Sequence, residues 1–405
     1  NNNNNNFNSN NNNINNNNNN GNNNNNNNQE ANKEENLYIE EEYPKIISFI
    51  YDEKNEITYA IGINETGDPK FEMQFLKLLK CPKYIKSQEE QEIKFSEEEK
   101  LREKIKEFKP DLILIAARDL KSKLLKEILF TIVEEVKEES QKIWVTFMDP
   151  KIPQISSVSD FYEKTEQNFF QNFALAAGRF KQNPLAEICN LWNEDVNLNS
   201  VLKINLHPYM NLICKNKLYK LMEIQIIKAV NNFGIEINKI CRNFHLNSLL
   251  QFVSGLGFTK AKSIITKITS TENKFITSRK SLKELCFSKS EKIFENFNGF
   301  IKVKKPKFLC ELNANNNNDN PNANEFYFDE SEFDSLDITR ILYKNYYIAK
   351  KIAVSAMEDD FKKSNDFAVK KIIENPELIN CLDLKDYVRQ LNYAANHNNN
   401  EGKKN

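Results

Sequence analysis

Residues 249–265 (LLQFVSGLGFTKAKSII) constrain the fold of this chain more than any other stretch. Their residue types predict a short helix, a hairpin carrying two glycines and a second helix that opens on lysines. Gly255 and Gly257 lack a Cβ, so the backbone between them can take positive φ and approach a ligand closely. Leu256, between them, can anchor the bend in a core. The second helix is expected to start near Phe258. Its unpaired N–H groups and positive dipole end then face the bend, where an anion is favoured. Lys260 and Lys262 add full positive charge, Ala261 permits close helix approach, and Ile264 with Ile265 supplies the buried side. This pattern points to a helix-hairpin-helix contact with the phosphates of a nucleic acid, through Gly255, Leu256, Gly257, Phe258, Thr259, Lys260 and Lys262. The competing reading is a tight turn between packed helices, because a glycine pair alone is a weak signal.

With 405 residues the chain has room for two or three domains. Lys and Arg number 56 against 57 Asp and Glu, a net charge of -1, so nucleic-acid binding must come from local basic patches. The hydrophobic content of 40% is diluted by asparagine tracts, and the remaining chain can build proper cores. Seven cysteines are scattered in sequence without a close pair, which argues against a zinc site or a disulfide framework and for a reducing compartment. No apolar run approaches the roughly 20 residues that span a bilayer, and no signal peptide is recognisable, so no membrane partner is expected. The start at Asn1 leads us to expect a fragment.

Residues 1–36 are almost entirely asparagine and are expected to be disordered, as is the 397–405 tail. A second asparagine tract lies within 304–330 and reads as a loop insertion. Residues 37–160 read as α/β: strands at 45–51 and 57–63 joined by a polar turn, a third strand after residues 65–68, a charged helix near 97–108, a continuous apolar strand at 110–116, a helix at 121–136 and a last strand at 143–147. Antiparallel strands followed by strand-helix-strand is the order of a ribonuclease H-like domain. A helical connector follows at 161–216, a helix-hairpin-helix domain at 217–303 and a small helical unit at 331–396. The fold class is therefore α+β and multi-domain.

A ribonuclease H-like domain raises the alternative of a metal-dependent, structure-selective nuclease, whose two ions need carboxylates on the first strand, the central strand and the final helix. Here residues 45–51 contain no acid, Asp52 falls in the turn, and the helical stretch 168–179 has none. Asp119 and Asp149 alone cannot make the site and read as strand-end residues or helix caps. His207 and His245 have no second ligand at metal spacing. No catalytic residue, metal or cofactor is assigned. The apolar stripe of Leu218, Leu221, Met222, Ile226 and Val230 reads as a packing face of a helix that stops near Gly234. Residues 290–302 look like a second hairpin unit in which Lys289 and Lys292 are candidate phosphate contacts, and the lysines of 302–307 are read as an extension of the basic surface or a solvated charge run.

The order and wording of several segments carry a resemblance: LQFVSGLG at 250–257 with Lys260 and Ala261, NPL at 183–185, LHP at 206–208, VNNFGIEIN at 230–238, GFIK at 299–302, LDITRI at 336–341, and Asn375 with Pro376. Together they resemble the core of the eukaryotic transcription elongation factors and histone chaperones known as suppressor of Ty six, relatives of the bacterial Tex proteins, over about residues 40–396. The resemblance implies a YqgF-type, catalytically inactive ribonuclease H-like domain, then a helix-hairpin-helix domain and a death-like helical domain. It implies a nuclear, non-enzymatic protein whose partners are DNA or RNA, histones and nucleosomes, and the RNA polymerase II elongation complex. The family's acidic amino-terminal region, its oligonucleotide-binding barrel and its tandem phosphopeptide-binding domains do not appear, so a core fragment or truncated paralogue is expected. Thr259 stands where relatives often carry a basic residue and Ser290 replaces the glycine of the second hairpin, which predicts reduced DNA affinity.

Overall fold

The computed structural model describes residues 42–80, 87–136, 142–164, 167–193, 200–288, 290–307, 333–357, 365–382, 385 and 388–389. The asparagine tracts of 1–36 and 304–330 lie outside these residues, apart from 304–307, as does the 397–405 tail.

The first unit is a five-stranded mixed sheet with helices on both faces. β1 (Ile46–Asp52) sits at its centre, and every residue of the strand is buried. β2 (Ile57–Ile63) and β3 (Pro69–Phe75) add antiparallel on one side. β4 (Leu112–Ala116) and β5 (Trp144–Met148) add parallel on the other, giving the order β3-β2-β1-β4-β5. Because successive side chains alternate across a strand, Ile47 and Phe49 join one layer and Ile46 and Ile50 the other. A strand covered on both faces has no polar side to keep, which explains its unbroken apolar run.

The first layer is built from α1 (Gln88–Phe108) and α2 (Lys121–Val136). Ser87 caps α1 by accepting from the Glu90 amide at 3.2 Å, and Lys109 ends it at φ 50°. From the middle of α1, buried Glu97 turns its carboxylate to the end of β3, accepting from the amides of Leu76 at 2.7 Å and Lys77 at 2.9 Å. That pairing satisfies two donors where the sheet ladder stops.

The short helices α3 (Lys151–Ser156) and α4 (Asp160–Glu163) lead to α5 (Phe169–Gln182), which covers the opposite face. Asn168 and Gln171 form a reciprocal capping box at its start. At Gly178 a Cβ would lie 2.1 Å from Cδ1 of Ile63, so any side chain here would have to push aside the end of that buried residue. The side-chain amide of Gln182 donates to the carbonyls of Pro44 at 2.9 Å and Asn64 at 2.8 Å, tying the helix end to the sheet edge.

A second, helical unit shares one large core. It contains α6 (Pro184–Cys189), α7 (Lys215–Phe233), β6 (Ile235–Glu236), α8 (Ile237–Arg242), a 3-10 segment Phe244–Phe252, α9 (Phe258–Thr269), α10 (Arg279–Phe287), α11 (Glu291–Phe297) and β7 (Ile301–Lys302). β6 and β7 pair in parallel. Asn238, fully buried, accepts from the Ile276 amide and donates to the carbonyls of Ile276 and Lys304, so one side chain joins three separate stretches of chain. A third, smaller core is formed by α12 (Tyr346–Ala356), α13 (Asn365–Glu374) and the segments around them. The chain is thus α+β, with one mixed sheet and many helices.

Two expectations need correction. The stripe on α7 is only partly a packing face: Ile226 and Val230 meet the main core and Met222 a smaller one, whereas Leu221 is exposed. Asp52 is the last paired residue of β1 and is buried, with its carboxylate accepting from the Lys54 amide and the Asn55 side chain. It therefore closes its own hairpin turn from inside the strand.

Candidate nucleic-acid interface

The bend at residues 253–258 is held from beneath and open above. Asn231, near the end of α7, accepts from the Ser254 amide at 3.1 Å and donates to its hydroxyl at 2.9 Å. Leu256 packs half-buried against the main helical core, and its amide donates to the Val253 carbonyl at 3.0 Å. Gly255 takes φ 91° and Gly257 φ 140°, both in the region that L side chains rarely adopt. A Cβ on Gly255 would come within 3.2 Å of Asn296 on α11, while one on Gly257 would meet nothing within 4 Å. Gly255 is thus favoured by its torsion and closely backed by Asn296, and Gly257 leaves a bare backbone facing open space.

α9 begins at Phe258, where the residue types placed it. Its first helical hydrogen bond is made by Ala261, which donates to the Gly257 carbonyl at 2.9 Å. The amides of Phe258, Thr259 and Lys260 precede that bond, no side chain caps them, and no acidic residue lies in the first turn. Phe258, Thr259, Lys260 and Lys262 are exposed, and Lys260 reaches back to the Gly255 carbonyl at 3.3 Å. The bend is therefore accessible to a polyanion, and the helix end offers partial positive charge, free donors and two lysines to it. Ala261, Ile264 and Ile268 face inward, with Ile265 half-buried beside them.

The limb before the bend differs from expectation. Residues 244–252 form a 3-10 segment instead of an α-helix. Its tighter winding puts Leu246, Leu249, Leu250 and Phe252 into the core from a short length of chain.

The second hairpin unit contributes through α11. Lys292 is exposed and stands one turn before Asn296, the residue that backs Gly255, so both lie on the same side of that helix. Lys289 lies outside the described residues. The lysine run at 302–307 is less available than its composition implies, because Lys304 pairs with Glu236 at 3.2 Å and Lys307 with Glu42 at 2.6 Å. Reading residue types in isolation missed Asn231 and Asn296, which shape the bend from neighbouring helices.

The acids considered for metal chemistry are occupied locally. Asp119 accepts from the Ser122 amide at 2.9 Å at the start of α2, and Asp149 accepts from the Lys151 amide at 3.0 Å. Among the described residues no group of three or more His, Cys, Asp or Glu is placed to hold a metal ion. His207 caps its own turn by accepting from the Tyr209 amide. His245 is buried with its ring against Gly67, and desolvation together with Arg179 and Lys239 pushes its pKa down to about 3. Among the described residues no helix is long and apolar enough to cross a membrane.

Residues 199–304 match the family model of the helix-hairpin-helix motif, a span that contains the whole bend and the second hairpin unit. The chain is 28% identical over 289 residues to the Suppressor of Ty 6 homolog of Caenorhabditis briggsae, covering 70% of this chain and 18% of that protein. It is 25% identical over 358 residues to transcription elongation factor SPT6 of Drosophila melanogaster, covering 86% of this chain and 18% of that one. With SPT6 of Candida albicans the identity is 25% over 338 residues, covering 78% of this chain and 22% of the relative. The chain thus spans about a fifth of the length of these relatives. Together with the motif match, these similarities bear out the resemblance read from the sequence, to the core of the Suppressor of Ty 6 transcription elongation factors.

Proposed function

We propose that this chain is a non-enzymatic core of a transcription elongation factor that binds DNA or RNA through the bend at Gly255–Lys262. The observation that carries this reading is the exposed, uncapped amino-terminus of α9, fronted by glycines and flanked by lysines, within the span matched by the helix-hairpin-helix family. Phosphate oxygens would accept from the amides of residues 258–260 and meet Lys260, Lys262 and, from α11, Lys292. Lys289 is proposed as a further contact on the strength of its sequence position.

The sheet order supports assigning residues 37–160 to a YqgF-type, ribonuclease H-like domain, with a helix-hairpin-helix domain at 217–303 and a death-like helical unit at 331–396. On this reading the sheet unit is a scaffold, and the local capping roles of Asp119 and Asp149 favour that over the nuclease alternative. The relatives' names as transcription elongation factors support a place with the transcription machinery in the nucleus, and the resemblance of the core segments is our ground for proposing histones and nucleosomes and the RNA polymerase II elongation complex as partners.

The test is DNA affinity against salt for the wild type and for Lys260→Glu, Lys262→Glu. Each phosphate that is no longer neutralised should reduce the slope of log K against log salt by about one unit and weaken binding uniformly across sequences. Unchanged affinity and slope would remove the bend from the interface. Divalent-dependent cleavage of branched or single-stranded DNA, abolished by Asp119→Asn, would overturn the non-enzymatic reading.

A further inference from the structure

A cavity of about 640 Å³ opens beside the bend, with Gly257 and Phe258 on its rim. Its size falls within the range of about 300–1,000 Å³ usual for small-molecule sites. Phe161, Trp192, Tyr219, Phe252 and Phe258 line it together with polar side chains. Trp192 packs edge-on to Phe252 with centroids 5.2 Å apart and lies 5.7 Å from Tyr219 of α7, so three rings from three separate stretches of chain converge there.

Asn190, 7% exposed, donates its amide to the His245 carbonyl, and the indole of Trp192 is set between Phe252 and Tyr219, so this part of the wall is held in place before anything enters. The rim also bears two acids, Asp160 and Glu223, against one lysine, Lys164. Carboxylates there repel a phosphate and leave the backbone of a bound strand to the α9 amides next door.

We propose that this cavity receives an unpaired nucleobase from the strand whose phosphate is held at the bend. The inference rests on the phosphate-binding reading above and adds a second element to it: the backbone is fixed by α9 while the adjoining base turns into the aromatic pocket. Stacking on Trp192 and Tyr219 supplies the sequence-tolerant part of the interaction. A strand that is already single loses least in turning one base out of its stack.

The experiment compares a labelled twelve-residue oligodeoxyadenylate with an abasic oligomer of equal length by fluorescence anisotropy. Both probes carry the same phosphates and only one carries bases. The wild type should bind the adenylate about tenfold more tightly. Trp192→Leu and Tyr219→Leu, which each remove a stacking face, should each narrow that difference, with abasic binding unchanged in both. The Lys260→Glu, Lys262→Glu variant should weaken both probes together. Equal wild-type affinity for the two probes would overturn the base pocket and leave the phosphate contact standing, whereas binding of neither probe would overturn both. Binding of an arginine-rich peptide that is abolished in Tyr219→Leu, with no difference between the two oligomers, would assign the pocket to a cationic side chain and overturn the proposal. Thermal melts of each variant separate loss of the pocket from loss of the fold, and if either variant melts early the adenylate-to-abasic ratio of the wild type alone decides.

Discussion

Arg279 offers the sharpest test of how the helical units are held together. Its side chain is fully buried at the start of α10. It donates from Nε and Nη2 to the Ile301 carbonyl at 2.9 and 2.6 Å, from Nη1 to the Ile341 carbonyl at 2.7 Å and to the Tyr346 hydroxyl at 2.9 Å, and from Nη2 to the Thr339 carbonyl. Its own amide donates to Asp337 Oδ2 at 3.0 Å, and Tyr346 donates to Asp337 Oδ1 at 2.6 Å. One guanidinium therefore satisfies carbonyls on β7 and on the stretch before α12, next to the buried carboxylate of Asp337. Arg279→Met keeps much of the volume and strips these acceptors of their donor. A buried acceptor left unpaired costs about 1–3 kcal/mol, so depriving the carbonyls of Ile301, Thr339 and Ile341 together should cost at least about 3 kcal/mol. Equilibrium urea unfolding should show the loss, and limited proteolysis should cut first near residues 333–346, where the network anchors the third core. Asp337→Leu, which leaves the Arg279 amide and the Tyr346 hydroxyl without their acceptor, should also be strongly destabilising, and because both residues sit in one network the two losses should not add in the double variant. A loss below about 1 kcal/mol in Arg279→Met, the range of an exposed ion pair, would refute the argument that this network joins the units.

Three further outcomes are expected. Burial pushes the Glu187 carboxyl up to about 7, against the opposing pull of Arg179, so its contribution to stability is full below about pH 4.5 and is lost as the pH rises through 7. That loss amounts to about 3 kcal/mol, and Glu187→Gln should remove it. Subtracting the variant's stability-against-pH curve from that of the wild type isolates this term from Asp337 and His245, and a flat difference between pH 4.5 and 7.5 would refute the assignment. Gly255→Ala forces a side chain into φ 91° and against Asn296, so it should lower stability by about 1–2 kcal/mol and weaken DNA binding, whereas a variant unchanged in both would show that the bend is not tied to that torsion. Burial pushes the Cys241 thiol up to about 12, so a thiol-alkylating reagent at pH 8 should label exposed Cys214 well before Cys241, as peptide mass mapping would report; equal rates would contradict the burial.

Much of the local structure was legible in residue order because short-range physics decides it. The all-buried strand at 46–52, the helix ending at Gly234, the capping of α2 by Asp119 and the start of α9 at Phe258 each follow from periodicity, capping or the freedom of glycine within a few residues. So did the choice of glycine in the bend, since a positive φ is a property of the position itself. The resemblance to the elongation factors was equally a matter of residue order.

What lies far apart in sequence was decided by the tertiary structure alone. Nothing within residues 249–265 indicates that Asn231 holds Ser254, that Asn296 closes on Gly255, or that Trp192 and Tyr219 stand beside Phe252. Leu221 shares a helical stripe with core residues and yet faces solvent, because a stripe records which side of a helix is apolar and not how much partner is there to cover it. The lysines of 302–307 carry the same charge in sequence as Lys260 and Lys262, but Glu236 and Glu42 pair with two of them. Local torsions and periodicities are written residue by residue, whereas availability, pairing and the walls of a cavity depend on which distant side chains the packed core brings within a few ångströms.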